Sequence, residues 1–281
     1  MGQNKSYQLF FLVLLFSLLL IQTGCKQTTG PIPIDRVCEK QLIFSDSNLE
    51  NAILEFTGAK HIVCREDIRN ASSLDLSGKN IQDLTGVEQL RWTDTMVLNN
   101  NPITDLQPVA DMESLVRLKI RGTDVTNIDA LTNCKSLLIE LDISNTDVAS
   151  LSGLSQLWSL LNFYANNIEV TDFSAISTWT SLIVLELNFN NITDISFLAN
   201  MQHLMELRLI NNDISDITVL ENKNNIKWIV LAGNQIEDIS ALTRNASTNL
   251  EFIDLRGNPL NDESINTYIP YLTNREITVF Y

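Results

Sequence analysis

The stretch Leu182-Ile-Val-Leu-Glu-Leu-Asn-Phe-Asn-Asn-Ile-Thr-Asp-Ile-Ser-Phe-Leu198 is followed by a second version of itself, from Leu204 to Leu220. Both follow the pattern LxxLxLxxNxIxDIxxL. The first strand leucine of the pattern, or its substitute, recurs along the chain at Leu74, Met96, Leu118, Leu141, Leu161, Leu185, Leu207, Ile229 and Ile253. Such an even period of about 22 residues predicts a stacked solenoid in which each coil contacts only its neighbours. We number these coils one to nine in chain order.

The LxL alternation within each coil has the period of a short strand with one buried face. Strands of successive coils would lie side by side and parallel, about 4.8 Å apart. The asparagine of the pattern is predicted to point inward and to bond backbone groups of its own and adjacent coils as a ladder of amides. Its slot contains Lys79, Asn101, Thr123, Thr146, Asn166, Asn190, Asn212, Asn234 and Asn258. Thr can replace part of this bonding, whereas Lys79 suits an atypical first coil.

Coil five departs from the pattern. Three residues, Glu169-Val-Thr171, separate Ile168 from Asp172, which is two more than the pattern allows. This spacing predicts a small bulge in the turn of coil five.

A polar position before the last leucine recurs in most coils. It contains Asp83, Asp105, Asn127, Ser150, Asp172, Asp194, Asp216 and Asp238. All of these are residue types that cap the N-termini of helices, so the pattern predicts a short helical turn on the convex side of each coil. A row of calcium ligands is the alternative, and one carboxylate per coil is weak support for it.

The repeat resembles that of the leucine-rich repeat family in its 22-residue, internalin-like bacterial form, over about residues 45 to 281. The resemblance implies an α/β solenoid, which is a right-handed superhelix with a parallel sheet on its concave face. The expected parts are a helical N-terminal cap at 38–72, nine coils at 73–260, and a short C-terminal cap at 261–281. In the C-terminal cap we expect a helix from about Asp262 to Leu272, followed by a segment at 277–281 that closes the last coil.

A helix is also predicted ahead of the first coil. Ser47 and Glu50 form a capping-box pattern, and Gly58 marks the end of the helix. One face is predicted to contain Leu49, Ala52, Ile53 and Phe56. This helix resembles the N-terminal cap of internalin-like proteins, and it would cover the open end of the first coil.

The cysteines are assigned different roles. Cys38 and Cys64 bracket the predicted helix, and because an exported chain meets oxidising conditions we expect a disulfide between them. Cys134 falls at an apolar convex slot, in line with Leu157 and Met201, where it would be a small buried hydrophobic residue.

The N-terminus has the features of a secretory signal over residues 1–24. Lys5 precedes an apolar segment, Leu9–Ile21, that is too short to span a bilayer. Thr23-Gly24-Cys25 resembles the end of a bacterial lipobox, in which the cysteine is lipidated and becomes the mature N-terminus. An ordinary secretory signal with Cys25 free is the alternative. Residues 25–37 are polar and contain proline, so they predict an extended tether from a membrane-bound lipid.

The net charge of the chain and the motifs in its sequence argue against several classes of function. The chain has a net charge of −15 and a pI near 4.4, which argues against nucleic acid as a partner. His61 and His203 do not lie in a metal-binding motif, and the sequence has no phosphate loop, nucleophile elbow or dinucleotide fingerprint. We therefore expect no enzymatic activity, no metal and no cofactor.

The outward residues of the strands offer the remaining candidate site. Coil three places Arg117, Lys119 and Arg121 in one row beside Glu140 and Asp142, where cross-strand ion pairs are the simplest interpretation. Coils five to nine are predicted to expose Leu160, Tyr164, Val184, Ile210, Trp228, Val230 and Phe252. This is much apolar surface to leave in water, unless the C-terminal cap or a second copy of the chain covers it.

The sequence thus predicts an exported, membrane-anchored lipoprotein of the cell envelope or cell surface that binds another protein through its concave face. The predicted contact residues are Tyr164, Ile210, Trp228, Val230, Phe252, Arg117, Lys119 and Arg121. Capture of a glycan or peptide is an alternative of the same class. A structural subunit of an envelope assembly is the competing class.

Overall fold

The computed structural model describes residues 38–281 except 39, 113, 135–137 and 246, and it does not describe the side chains of residues 133 and 134. The predicted signal segment, the tether and the lipid site at Cys25 therefore lie outside the described residues. The predicted burial of the Cys134 side chain lies outside them as well.

Parallel strands of three residues each form one sheet, and their order in the sheet is their order in the chain. The strands are Ser73–Asp75 (β1), Thr95–Val97 (β2), Arg117–Lys119 (β3), Glu140–Asp142 (β4), Asn162–Tyr164 (β5), Val184–Glu186 (β6), Glu206–Arg208 (β7), Trp228–Val230 (β8), Phe252–Asp254 (β9) and Thr278–Phe280 (β10). The middle residue of each strand from β1 to β9 is buried, because neighbouring coils stack their apolar side chains into one core. The predicted solenoid is confirmed.

Short helical segments return the chain on the side opposite the sheet. The 3₁₀ segments are Val87–Gln89, Asp129–Cys134, Ser152–Leu154, Ser174–Thr178, Ser196–Asn200 and Thr218–Asn222. Two α-helical segments, Gln107–Ala110 and Ser240–Arg244, occupy the same place in coils two and eight.

The recurring Asp position stabilises these segments from one residue further out than predicted. Asp194 Oδ1 accepts the N–H of Ser196 at 2.8 Å, and the N-cap residue between them is apolar Ile195. Asp216 and Thr218 repeat this bond at 2.8 Å. In coil two and in coils five to eight the aspartates therefore form Asx turns that satisfy the first N–H of the helical segment, instead of acting as N-caps themselves.

Inward asparagines join successive coils as the pattern predicts. The Oδ1 atom of Asn234 accepts the N–H of Ile214 at 3.1 Å, and its Nδ2 donates to the carbonyls of Leu209 at 2.8 Å and Leu231 at 2.9 Å. Among the described residues, the side chain of Thr123 bonds within its own coil, through a donation from Oγ1 to the carbonyl of Ile120 at 2.7 Å. Threonine thus replaces only the part of the ladder that lies within one coil.

Coil five is in a different register from the predicted one. The cross-strand partner of Leu141 and Leu185 is Phe163, so Phe163 and not Leu161 begins the inward positions of this coil. Leu160, which we expected on the concave face, is therefore fully buried, at 0% exposure. Ile168 takes the ladder slot that we assigned to Asn166. The spacing from Phe163 to Leu185 is the regular one of 22 residues, so the predicted bulge does not exist.

A row of residues with left-handed backbone conformation follows the strands, one per coil, four residues after the middle residue of each strand. Its members have φ between 52° and 73° and are Gly78, Asn100, Gly122, Asn145, Asn167, Phe189, Asn211, Gly233 and Gly257. Glycine has no Cβ to clash in this conformation, and asparagine tolerates it better than other residues do. One member of the row, Phe189, is neither.

The helix ahead of coil one is α1, Ser47–Thr57. Its N-cap is Asp46 rather than Ser47, and it ends at Gly58, which has φ 71° as predicted for a stop. Phe56 is 48% exposed, so it does not share the buried face with Leu49, Ala52 and Ile53.

Asp46 also fixes α1 to the first coil. Its Oδ1 accepts the N–H of Asn48 at 2.7 Å, while its Oδ2 accepts those of Gln82 at 2.7 Å and Asp83 at 3.1 Å. Burial opposes ionisation of this carboxyl, but the backbone donors outweigh it and hold the pKa of Asp46 below its usual value. One carboxylate thus serves both the helix end and the turn of coil one.

A disulfide joins Cys38 to Cys64, with their Cα atoms 5.6 Å apart. Cys64 also forms an isolated antiparallel bridge with Gln41. The start of the described chain is therefore linked covalently to the segment that follows α1.

The C-terminal segment closes the other end of the sheet. A helical region runs through Ser264–Tyr268, which has π-type bonding, and Ile269–Asn274. Ile269, Leu272 and Ile277 are buried, and β10 then pairs with β9 as an additional parallel strand. No helix in the described part of the chain is both long and apolar enough to cross a membrane.

Candidate functional site

The concave surface consists of the first and third residues of each strand, since these side chains point away from the core. Cross-strand pairing arranges them in two rows that run along the stack. The first-residue row from β3 to β9 is Arg117, Glu140, Asn162, Val184, Glu206, Trp228 and Phe252. The third-residue row from β3 to β10 is Lys119, Asp142, Tyr164, Glu186, Arg208, Val230, Asp254 and Phe280.

Part of the cationic row of coil three is neutralised within the sheet. The carboxylate of Glu140 lies 2.8 Å from Nζ of Lys119 and 3.5 Å from Nε of Arg117. Arg121 lies beyond the strand end and is exposed. Lys119 also has Asp142 as its cross-strand partner, so the acids of coil four balance much of the charge of this row.

The centre of the face is negatively charged. Arg208 is close to both Glu186, at 3.4 Å, and Glu206, so one cation serves two carboxylates. Tyr164 is half-buried between Asp142 and Glu186 on the adjacent strands. Burial, together with nearby carboxylates, raises the pKa of Tyr164 to about 12, so its hydroxyl remains a hydrogen-bond donor at neutral pH.

An aromatic surface occupies the C-terminal end of the face, and we call Trp228, Phe252 and Phe280 the aromatic patch. Trp228 and Phe252 are cross-strand partners, as their shared slot predicts. The rings of Phe252 and Phe280 are 5.6 Å apart, and the guanidinium of Arg256 lies 5.4 Å from the Phe280 centroid. Trp228 remains 41% exposed and Phe280 46% exposed. The C-terminal strand therefore adds Phe280 to this patch and covers little of it.

The remaining apolar candidates are less accessible than predicted. Val230 is buried, at 6% exposure, between its cross-strand partners Arg208 and Asp254. Ile210 is partly exposed, and its N–H donates to Oδ1 of Asn188 at 2.7 Å. Val230 is thus a packing residue and not part of the accessible face.

A second set of polar bonds, which the repeat pattern did not reveal, lies where the strands end. Oδ1 of Asn166 accepts the N–H of Asn188 at 2.8 Å, and Oδ1 of Asn99 accepts that of Arg121 at 3.0 Å. These donors and acceptors are 22 residues apart, so each bond joins two neighbouring coils. Aligning the coils by their strands would have placed these residues in one column.

Only one group of described residues brings three potential metal ligands together, and it consists of Cys38, Cys64 and Glu66. The two cysteines are oxidised to the disulfide, and a disulfide sulfur is not the thiolate that binds a metal. The aspartates of the convex row are used in their own turns, as for Asp238 Oδ1, which accepts the N–H of Ser240 at 2.7 Å.

Comparison with models of known protein families gives no match, and comparison with curated protein sequences gives none either. Solved structures do match. Internalin C2 from Listeria monocytogenes has a TM-score of 0.72 and 28% identity, with 78% of this chain and 99% of that chain covered. A leucine-rich repeat protein from Leptospira interrogans has a TM-score of 0.64 and 17% identity, with 76% and 62% covered.

A more distant match is the plant peptide hormone receptor RGFR1 in complex with RGF2, with a TM-score of 0.51 and 23% identity, over 61% of this chain and 30% of that chain. The last two likenesses concern the fold alone. The chain has the leucine-rich repeat solenoid fold and is similar to the bacterial internalins. Solenoids of this kind present extended concave surfaces on which partner proteins bind.

Proposed function

We propose that the protein is a non-enzymatic surface lipoprotein that binds another protein through the concave face of its leucine-rich repeats, in adhesion or a related interaction. The aromatic patch is the observation that carries this proposal. Trp228 leaves 41% of its surface in water on a rigid sheet, beside Phe252 and Phe280. Tryptophan and tyrosine on such a surface are typical centres of binding energy in protein interfaces.

Charged side chains elsewhere on the concave face would also contribute to binding of the partner. Arg121 is an exposed cation near coil three, and Glu186 and Glu206 share a single arginine at the centre, so the charge of the face varies along the stack. Exposed charges of this kind contribute chiefly to orientation and association rate, so the binding would depend on salt concentration.

Export and anchoring complete the proposal. The apolar segment and Thr23-Gly24-Cys25 support secretion followed by lipidation of Cys25, and residues 25–37 would then be the tether between lipid and solenoid. This arrangement would present the concave face at the cell envelope or surface.

The test replaces the anchors and uses convex residues as the matched control. A photoreactive amino acid at Ile210 would link the bound partner on intact cells and allow its identification. Trp228→Ala combined with Phe252→Ala should then weaken binding of that partner by at least ~2 kcal/mol without unfolding the protein. Gln156→Ala with Asn200→Ala, on the exposed convex side, should leave binding unchanged.

The identity of the linked partner separates the alternatives. A foreign or host protein supports adhesion, whereas a stoichiometric protein of the same envelope would indicate a structural subunit. If only the convex changes weaken binding, the concave face is not the site.

A further inference from the structure

Glu66, in the N-terminal cap, has a carboxylate that lacks the partners a buried carboxylate requires. Both of its side-chain oxygens are buried, and neither has a hydrogen-bond partner among the described residues. A buried carboxylate normally accepts hydrogen bonds, pairs with a cation or binds a metal ion, because burial removes its hydration. The residue as a whole is partly exposed, so solvent lies close to the site. An orphaned pair of buried acceptors indicates a place for a cation.

The disulfide of the cap lies directly beside this carboxylate. The sulfur atoms of Cys38 and Cys64 and a carboxylate oxygen of Glu66 all lie within 4.8 Å of one another. Cys38 is partly exposed, whereas Cys64 is buried, at 6% exposure. A thiol reagent can therefore reach the disulfide at Cys38, while the other two groups stay inside the cap.

Backbone bonds also hold this site together, in addition to the disulfide. The carbonyl of Cys64 accepts the N–H of Asp67 at 2.9 Å, and the N–H of Cys64 donates to Oδ2 of Asp67 at 2.8 Å, which fixes the turn that contains the glutamate. The N–H of Arg65 donates to the carbonyl of Lys40 at 2.9 Å, so the segment that begins at Cys38 is paired with the same turn. The two cysteines and the glutamate are thus kept close by contacts that do not depend on the sulfur–sulfur bond.

Reduction of the disulfide creates a set of metal ligands. A thiolate of a dithiol reductant bonds to Sγ of Cys38, and the electron pair of the broken sulfur–sulfur bond goes to Sγ of Cys64. The second thiol of the reductant then forms the reductant's own disulfide and releases Cys38 as a thiolate. Two thiolates and one unpaired carboxylate then lie together, and such a cluster must take up protons or bind a cation.

We propose that the reduced N-terminal cap binds one zinc ion through the thiolates of Cys38 and Cys64 and the carboxylate of Glu66. Zinc takes both ligand types at about 2.0–2.3 Å, which places tetrahedral ligand atoms about 3.5–3.8 Å apart and requires only short side-chain movements here. Water fills the fourth position, since Cys38 is partly exposed. The ion supplies the positive charge that Glu66 lacks and links residue 38 to the turn in place of the disulfide. This site is independent of the concave face.

A cobalt titration of the purified protein tests the site, because Co²⁺ bound to thiolates absorbs in the near ultraviolet. The protein is reduced with a dithiol, desalted under nitrogen and titrated with CoCl₂. The reduced wild type should show a thiolate-to-cobalt band that saturates at one ion per chain and disappears when Zn²⁺ replaces the cobalt. The oxidised protein should show no such band, since a disulfide sulfur is not a thiolate. Absence of the band in the reduced wild type would overturn the proposal.

Three variants identify the ligands. Glu66→Gln keeps the shape of the side chain and removes its charge, so it should weaken Co²⁺ binding by about tenfold or more. Glu55→Gln, which changes an exposed carboxylate of α1, is the matched control and should bind as the wild type does. Cys25→Ser with Cys134→Ser removes the other two cysteines of the chain and should leave the band unchanged. Wild-type affinity in Glu66→Gln, or loss of the band in the double serine variant, would show that the ion is bound elsewhere.

Two further measurements separate a lost ligand from a lost fold. Reduced Glu66→Gln should have the circular dichroism spectrum of the reduced wild type. The folded reduced wild type should also bind Co²⁺ about tenfold or more tightly than the same chain in denaturing urea, because only the folded cap brings the three ligands together. Equal affinities of the folded and unfolded chains would mean that the cysteines bind the ion without the cap, and the inference would fail.

Discussion

The side-chain oxygen of Asn212 accepts the backbone N–H of Ile192 at 2.9 Å, although the two residues belong to neighbouring coils. The same oxygen accepts the N–H of Asn190 at 3.1 Å, and the amide nitrogen of Asn212 donates to the carbonyl of Leu187 at 3.0 Å. Asn212 is buried, so water cannot replace these bonds. One side chain thus satisfies peptide groups of two coils inside the core.

The first prediction concerns this side chain. Asn212→Ala should lower the free energy of unfolding by ~1–3 kcal/mol, because buried donors and acceptors lose their partners. Urea unfolding followed by circular dichroism measures the change. Asn166→Ala is the control and should cost less, since Asn166 lies at the partly exposed end of a strand. Equal losses in the two variants would show that the inward row has no special part in stability.

The second prediction tests the register of coil five. Phe163 is fully buried and packs edge-to-face on Trp179, with the ring centroids 4.9 Å apart. Phe163→Ala should therefore cost ~3–5 kcal/mol, through lost burial and a cavity. Leu161→Ala should cost far less, because Leu161 is only partly buried. A larger loss for Leu161→Ala in the same unfolding experiment would restore the register expected from the leucine pattern.

Coil five shows how far the pattern alone can determine the register. A slip of one residue would turn every side chain to the other face, but a slip of two keeps the alternation intact. Leu161 matches the first strand leucine of the pattern better than Phe163 does. Asn166 likewise matches the asparagine of the pattern, although the structure places Ile168 in that position. The periodicity was enough to predict the solenoid, the inward face and the parallel sheet. The strand pairing in the structure shows which of the two registers, the one that begins at Leu161 or the one that begins at Phe163, this coil adopts.

The candidate surface was predictable only in part, for a similar reason. The alternation correctly placed Trp228 and Phe252 as outward neighbours, because that property follows from period and slot. The burial of Val230 depends on the side chains of adjacent strands, which no local pattern describes. The left-handed conformation of Phe189 was not predicted, because phenylalanine is not a residue type that marks such a position in a sequence.

The third prediction concerns the anchor. Cys25→Ser should abolish the uptake of labelled fatty acid and release the protein from the membrane fraction, since one thioether-linked lipid site would be lost. Cys134→Ser should keep both the label and the membrane association. Metabolic labelling followed by fractionation measures the two properties. A wild-type protein that takes up no labelled fatty acid would contradict the lipoprotein proposal and leave an ordinary secretory signal.

Lys223 leads to the last prediction, which concerns pH. Its side chain is 1% exposed, in the convex slot where the preceding coil has Met201. Nζ of Lys223 donates to the carbonyls of Leu198 and, at 3.0 Å, Ala199. Burial disfavours the ammonium and lowers the pKa of Lys223 to about 8.

The direction of the pH effect follows from where the proton is bound. Below pH 8 the lysine is protonated in both states, and the folded protein bears the full cost of a buried charge. Between pH 8 and about 10.4 the unfolded chain keeps a proton that the folded protein has released, so this lysine makes stability rise with pH. The rise should reach ~3 kcal/mol over this window.

Lys223→Met isolates this contribution, because methionine fits the slot and does not titrate. The free energy of unfolding, measured by urea titration from pH 7 to 10.5, should shift in favour of the wild type by ~3 kcal/mol relative to the variant. Other titrating groups are common to both proteins and cancel in the difference. A difference that stays constant across this range would mean that Lys223 keeps its ordinary pKa and that its ammonium reaches water.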